Sequence, residues 1–217
     1  MNIAQAKQIL GGDITTNSKM PGHCFGIHTD SCVVGGKLRS VPGSVCASCY
    51  ARRFELFRPS VYAGRKARLE ALQKALETSE GRKQWVEAMV TLITKRQIKW
   101  FRWHDSGDLV NGYHLAMIRE VASECPGTQF WLPTREKALV NEFVRAGNHI
   151  PENLTIRVSA AMVDDVPPSV PEGIQTSAVH TAFPIGVECK APDNGGKCGD
   201  CRMCWDKTVP TVSYKKH

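Results

Sequence analysis

The sequence predicts an α/β fold in which a mainly parallel sheet curves toward a barrel. Three observations predict it: strand and helix patterns alternate in regular order from residue 98 onward, one strand alternates apolar with polar residues, and polar groups gather where strands end. Strand, helix, strand, helix, strand argues for right-handed βαβ units around a parallel sheet.

Each element has its own signal. Residues 66–77 place Leu69, Leu72 and Leu76 on one helical face, and residues 84–96 do the same with Val86, Met89, Val90 and Ile93. Residues 98–104 are short, aromatic and bounded by Asp105-Ser-Gly-Asp108, which reads as a strand entering a turn. Asn111 then caps a helix carrying Leu115, Ile118 and Val121, which stops at Cys125-Pro126-Gly127. A strand over 128–134, a helix over 135–147 and a strand over 154–160 follow, with a weaker strand over 173–180. No internal repeat is present.

The curvature rests on residues 154–159. Leu154, Ile156 and Val158 share one face while Thr155, Arg157 and Ser159 share the other. Strands of a flat parallel sheet are apolar on both faces, whereas a strand lining a ligand-bearing lumen alternates. An edge strand with one wet face explains the same pattern. By the same period of two, Arg102 shares a face with His104. Ligands of α/β folds sit at the carboxyl ends of strands, where His104 to Asp108, Thr134-Arg135 and Ser159 fall.

The chain has 217 residues, 28 Lys and Arg against 21 Asp and Glu (net +7), 42% hydrophobic residues and nine cysteines. That length suits one compact unit, read as an irregular N-terminal cysteine segment (1–62), a βα core (63–185) and a cysteine-rich tail (186–217). Apolar content is too high for a disordered chain, no window holds about 18 consecutive apolar residues, and the N-terminus lacks the pattern of a secretory signal. No membrane span and a reducing cytoplasm are therefore expected. The positive charge permits contact with nucleic acid or another anion, but it is spread through amphipathic segments and a solvated surface is its main explanation. A chain of this size builds its core without disulfides, so an odd number of closely spaced cysteines points to metal or cluster ligation.

The tail carries the most specific spacing: Cys189-x8-Cys198-Gly-Asp-Cys201-Arg-Met-Cys204. Thiols two residues apart wrap successive corners of an iron-sulfur cubane, and Gly195, Gly196 and Gly199 give the loop its freedom. A zinc site accepts the same pairs, usually with a long loop between them. Near the start, Cys46 and Cys49 form one C-x2-C pair separated from Cys32 by thirteen residues, with Arg52 and Arg53 beside it to favour thiolates. Three cysteines on a 4Fe-4S cluster leave one iron open to a small molecule, whereas four close it. A structural zinc with Cys24 or a histidine as fourth ligand is the alternative. Cys125 reads as a plain buried thiol.

The stretches NSKMPG near residue 17, VPGSVCASCYARR, WFRWHDSGDL, FWLPTREKAL, IRVSA and CGDCRMCWDKTVPTVSYKKH span nearly the whole chain. In them the sequence resembles the phage gene product eighty-eight-like family. The resemblance implies a phage-type iron-sulfur protein with a partial TIM-like (β/α) barrel related to radical S-adenosylmethionine enzymes. It assigns Cys32, Cys46 and Cys49 to an N-terminal ligand group and Cys189, Cys198, Cys201 and Cys204 to a C-terminal one. For a phage-encoded protein, the cytoplasm expected above is that of the host cell. The spacing Cys32-x13-Cys46-x2-Cys49 departs from the usual C-x3-C-x2-C loop, and no Gly-Gly-Glu segment is present for the methionine end of S-adenosylmethionine.

Around an open iron, the expected catalytic groups are His104, Asp105, Ser106, Asp108, Arg135 and Arg157. Asp105 or Asp108 suits an ammonium or ribose hydroxyls, Arg135 and Arg157 a carboxylate or phosphate, and His104 proton transfer. Asp-Ser-Gly-Asp is also ordinary turn chemistry. The leading expectation is a 4Fe-4S enzyme acting on an unknown small-molecule or macromolecular substrate, with S-adenosylmethionine as a candidate cofactor and a reductant protein as a candidate partner. The competitors are a non-catalytic electron-transfer or structural cluster module, and a zinc-containing nucleic-acid-binding protein that uses the basic run Arg52, Arg53, Arg58, Arg65, Lys66 and Arg68.

Overall fold

The computed structural model of the chain describes residues 1–216. It begins with α1 (Ile3–Ile9), started by a capping box in which Asn2 and Gln5 each accept the other's backbone N–H. Two short strands, β1 (Thr15–Thr16) and β2 (His23–Phe25), lead to α2 (Val33–Leu38), α3 (Tyr50–Phe57), α4 (Pro59–Leu76) and α5 (Ser79–Lys95). Strands and helices then alternate through β3 (Trp100–Trp103), α6 (Gly112–Glu124), β4 (Gln129–Thr134), α7 (Lys137–Arg145) and β5 (Leu154–Ser159). The chain finishes with β6 (Gln175–His180), β7 (Val187–Glu188) and β8 (Thr211–Lys215).

The α/β class and the expected elements between residues 66 and 180 are present, with bounds shifted by a few residues. Asn111 caps α6 as its residue type foretells, its Oδ1 accepting the His114 N–H at 3.0 Å. The first 62 residues are more ordered than their pattern suggests. Their helices and strands run from two to eight residues, too short to show a period.

All eight strands form one sheet in the order β1-β2-β3-β4-β5-β6-β8-β7. Only β1 runs antiparallel to its neighbour; every other pairing is parallel. The two-residue strands β1 and β7 are its free edges, so the sheet stays open and the expected barrel does not close.

One face is covered by helices. Leu72, Trp85, Met89, Leu92, Ile118, Val121 and Val140 pack against Phe25, Phe101, Trp103, Phe130, Leu132 and Ile156 of the strands. Trp85 of α5 stacks on Trp103 of β3 with ring centroids 6.0 Å apart. The opposite face is covered by the chain's own tail, where Cys204 and Trp205 pack on Trp131 with Met20, Trp100 and Tyr214 around them.

That cover explains the alternation on β5. Thr155 and Arg157 face neither water nor a ligand lumen but the main chain of the tail, while Ser159, half-buried at the strand end, accepts the Ser177 hydroxyl of β6 at 3.1 Å. Thr155 Oγ1 donates to the Trp205 carbonyl at 2.7 Å. Arg157, fully buried, commits all five of its N–H groups to carbonyls: Nε to Cys204, Nη1 to Thr176 and Val209, Nη2 to Met203 and Asp206, at 2.7–3.3 Å. No donor is left for a carboxylate or phosphate, which corrects the anion-binding role expected of Arg157. Its role is to fasten the cysteine-bearing tail to the sheet.

Candidate functional site

Cys32, Cys46 and Cys49 lie in the loops that follow β2. Cys32 ends a short 3₁₀ turn (Thr29–Ser31) and begins α2, and Cys49 begins α3. A Cβ placed on Gly35 would stand 3.3 Å from Cys46 Sγ and 3.9 Å from Cys32 Sγ, so both thiols border the same bare glycine. Burial pushes the Cys32 thiol up to about 12; Asp108 and the other two cysteines add to this, and Arg39 opposes it. Burial also raises Cys46, against which Arg135 and Arg39 act while Cys49 and Asp108 reinforce it. Three mutually repelling thiolates with two guanidiniums at their border suit a cationic centre, because binding one replaces the protons that burial otherwise retains. Among the described residues, no three His, Cys, Asp or Glu side chains close around one point as a single metal ion requires. A four-iron cluster takes each thiolate on a different iron and needs a wider set.

The end of β3 supports this loop from beneath. Asp108 is buried and spends its carboxylate on the ends of two strands: Oδ1 accepts Thr134 Oγ1 at 2.6 Å and the Leu109 N–H at 2.8 Å, and Oδ2 accepts the Arg135 N–H at 2.9 Å. Burial lifts its pKa to about 6 against these hydrogen bonds. Its own N–H goes to Ser31 Oγ, next to Cys32. Gly107 makes the approach possible, since its φ is +79° and a Cβ there would meet Ile27 Cγ1 at 2.5 Å and Ser31 Oγ at 2.7 Å. Ser106 Oγ donates to the buried Glu55 at 3.0 Å. Asp105 is partly exposed, with Oδ2 3.7 Å from Arg65 Nη2 and its carbonyl accepting the Tyr50 hydroxyl at 2.6 Å.

Glu55 is the hub that the sequence does not reveal. From α3 it accepts the Thr29 N–H and hydroxyl, the Ser106 hydroxyl and Arg65 Nη1, with His28 Nε2 3.5 Å away. It ties the start of the cysteine loop to the end of β3. Glu136 does a similar task, its Oε1 accepting the Val34 N–H of α2 at 2.8 Å.

His104 is not part of this arrangement. The strand ends at Trp103, and His104 takes a φ of +51°, which breaks the period of two that would have set it beside Arg102. Its ring turns to α6, 5.2 Å from that of His114, and both of its nitrogens are buried without a partner. Burial holds its pKa well below the usual histidine range, with His114 and Arg102 adding. The expected proton-transfer role gives way to that of a buried neutral imidazole. Arg135 follows β4 directly, its charge acting on Cys46 and its Nε buried without a protein partner.

The tail thiols form a second group on the opposite face. Cys189 donates its N–H to the Ser213 carbonyl at 2.8 Å, and Cys198 donates to Lys19 at 2.9 Å. Cys204 Sγ lies 3.2 Å from Tyr214 Oη, and Cys201 is exposed. Gly195, Gly196 and Gly199 have φ of 60°, 77° and 53°, the freedom their loop was expected to need. Burial raises Cys189, Cys198 and Cys204, the last to about 11, and the thiols that reinforce each shift belong to this same group. Arg102 of β3 borders this group. Its guanidinium sits 4.6 Å from the Trp131 ring centroid, and its charge acts on both Cys198 and Cys204. Cys24 pairs in register with Arg102 on the neighbouring strand, and burial pushes its thiol up to about 11. Cys125 is a buried thiol at the end of α6, likewise raised to about 11 by burial.

A family model described as "Gene product 88" matches residues 4–207, nearly the whole chain, so the chain belongs to that family. No curated protein and no solved structure matches.

Proposed function

We propose that this gene product 88 family member is an iron-sulfur enzyme with two cluster sites of different duty. The observation that carries the reading is the division of seven cysteines into a group of three and a group of four, each perturbed by its own members and each anchored by different partners. Cys32, Cys46 and Cys49 would hold a 4Fe-4S cluster with one iron open, and such a centre supplies a site for small-molecule binding and electron transfer. Cys189, Cys198, Cys201 and Cys204 would hold a closed one. The five hydrogen bonds of Arg157 support a structural duty for that second site, because they fix the tail before any ligand is considered.

The chain's own residues would do the following. Arg135 and Arg39 offset the charge of the thiolates, and Arg135 keeps its Nε free toward an anionic ligand group. Asp108 and Glu55 hold the cysteine loop against the ends of β3 and β4. Tyr50 and Asp105 border the same end of the sheet.

Anaerobic purification with iron and sulfide analysis tests the reading. Brown protein with acid-labile sulfide is expected, and Cys46→Ala should lose one cluster while Cys201→Ala loses the other. Colourless protein holding only stoichiometric zinc after anaerobic reconstitution overturns it. In the loaded protein, formation of 5′-deoxyadenosine from S-adenosylmethionine under reduction would assign radical chemistry to the open site; its absence would leave electron transfer as the duty of that cluster.

A further inference from the structure

The helix that begins at Cys49 is turned outward. Tyr50, Phe54, Leu56 and Phe57 of α3 are 54%, 52%, 68% and 74% exposed, and Tyr62 at the start of α4 is 40% exposed. An amphipathic helix normally buries its large apolar residues; α3 buries Ala51 and the charged Glu55 instead. Exposed rings at this density have a use outside the molecule.

Charge narrows what that use is. Between Ser31 and Leu69 the chain carries eight Lys and Arg and a single carboxylate, Glu55, which is buried. Arg52, Arg53, Arg58 and Lys66 are exposed among the rings. On a helix, positions four apart are neighbours, so Arg53 stands beside Phe57, and Arg58 follows directly at the helix end. The surface therefore alternates guanidinium with aromatic face. Protein-protein interfaces also enrich arginine and aromatic residues, but they deplete charge at the core and leave it to a polar rim. A single-stranded nucleic acid needs the opposite, a cation for each phosphate and a ring for each base at short intervals.

We infer that α3 and the start of α4 form a binding surface for single-stranded nucleic acid, read by charge and stacking rather than by base sequence. Arg52, Arg53, Arg58 and Lys66 would meet phosphates, and Phe54, Phe57 and Tyr62 would take bases. Binding does not depend on what the thiols hold. Because α3 starts at Cys49, a strand lying along it would bring its backbone to the mouth of the three-cysteine group.

The test is fluorescence anisotropy of the intact protein with a labelled oligothymidylate, read across a salt series. Binding that weakens linearly in log salt is expected, with the slope falling by about 0.7 for each of Arg52→Gln and Arg53→Gln. Phe54→Ala and Phe57→Ala should each weaken binding roughly tenfold at fixed salt. All four positions are exposed, so an unchanged far-ultraviolet spectrum and melting midpoint confirm that the variants fold. Absence of binding at low salt overturns the inference, as does binding that ignores both phenylalanine substitutions. Three other occupants would each overturn it too: concentration-dependent self-association abolished by Phe57→Ala, preference for phosphatidylglycerol vesicles over the oligonucleotide, or displacement of the oligonucleotide by polyglutamate but not by unlabelled strand.

Discussion

His104 and His114 make the fold acid-sensitive in a way that one substitution can isolate. Both imidazoles are buried, and burial lowers His114 from its ordinary 6.5 to about 3 and His104 well below 6.5. In the unfolded chain each takes its proton near 6.5; in the folded protein each stays neutral. Below about pH 6.5 the unfolded state thus binds more protons, and stability falls as pH falls, by about 1.4 kcal/mol per pH unit for each histidine. For His114 alone the loss between pH 7 and pH 5 comes to about 2 kcal/mol. Asp108 works in the reverse direction. Its pKa is raised from 3.8 to about 6, so the folded state takes up a proton first and regains stability as pH falls through that value. The difference between the parent protein and His114→Gln removes that contribution, since Asp108 is in both. The assay is urea unfolding under reductant, followed by tryptophan fluorescence at several pH values from about 7 to about 5. The parent curve should drop more steeply than the variant's, and the gap between them should change by about 2 kcal/mol over that range. Parallel curves would refute the argument, because they would mean that His114 protonates equally in both states.

Three further outcomes follow from the geometry. Arg157→Lys keeps a charge but leaves buried carbonyls without donors; stability should fall by about 3 kcal/mol or more, with new protease cleavage in residues 186–210. Gly107→Ala forces a Cβ to 2.5 Å from Ile27 at a φ of +79° and should cost about 2 kcal/mol or more, read as a lower urea midpoint. In protein loaded with the proposed clusters, stripping them with a chelator should speed amide exchange in residues 29–49 and 189–204, while the core around Trp85 and Trp103 keeps its protection.

What could be read in advance was whatever depends on neighbours along the chain. The helical periods over 66–77 and 84–96, the cap at Asn111 and the strands of the βα core announce themselves because their signals are periodic or local. Arg157 was legible as a polar residue on an alternating strand but not in its task, since the carbonyls it serves lie 19 to 52 positions away. Glu55 was invisible for the same reason: its partners Thr29 and Ser106 come from distant loops. β2 is only three residues long, below the reach of any pattern. His104 misled because a single backbone torsion ended its strand one residue early. The cysteine spacing marked out two runs of thiols, yet said nothing of the five-bond clasp that fastens the tail bearing one of them.

The position of β8 has a consequence for how the molecule comes to be. It is the last strand in sequence, but it lies between β6 and β7 and not at the rim. While the chain leaves the ribosome, β6 presents an unsatisfied backbone edge until the segment through Lys215 has emerged, and β7 has nothing to pair with at all. A stalled or shortened product is thus left with an adhesive strand in place of a finished sheet, and intermolecular pairing is its natural fate.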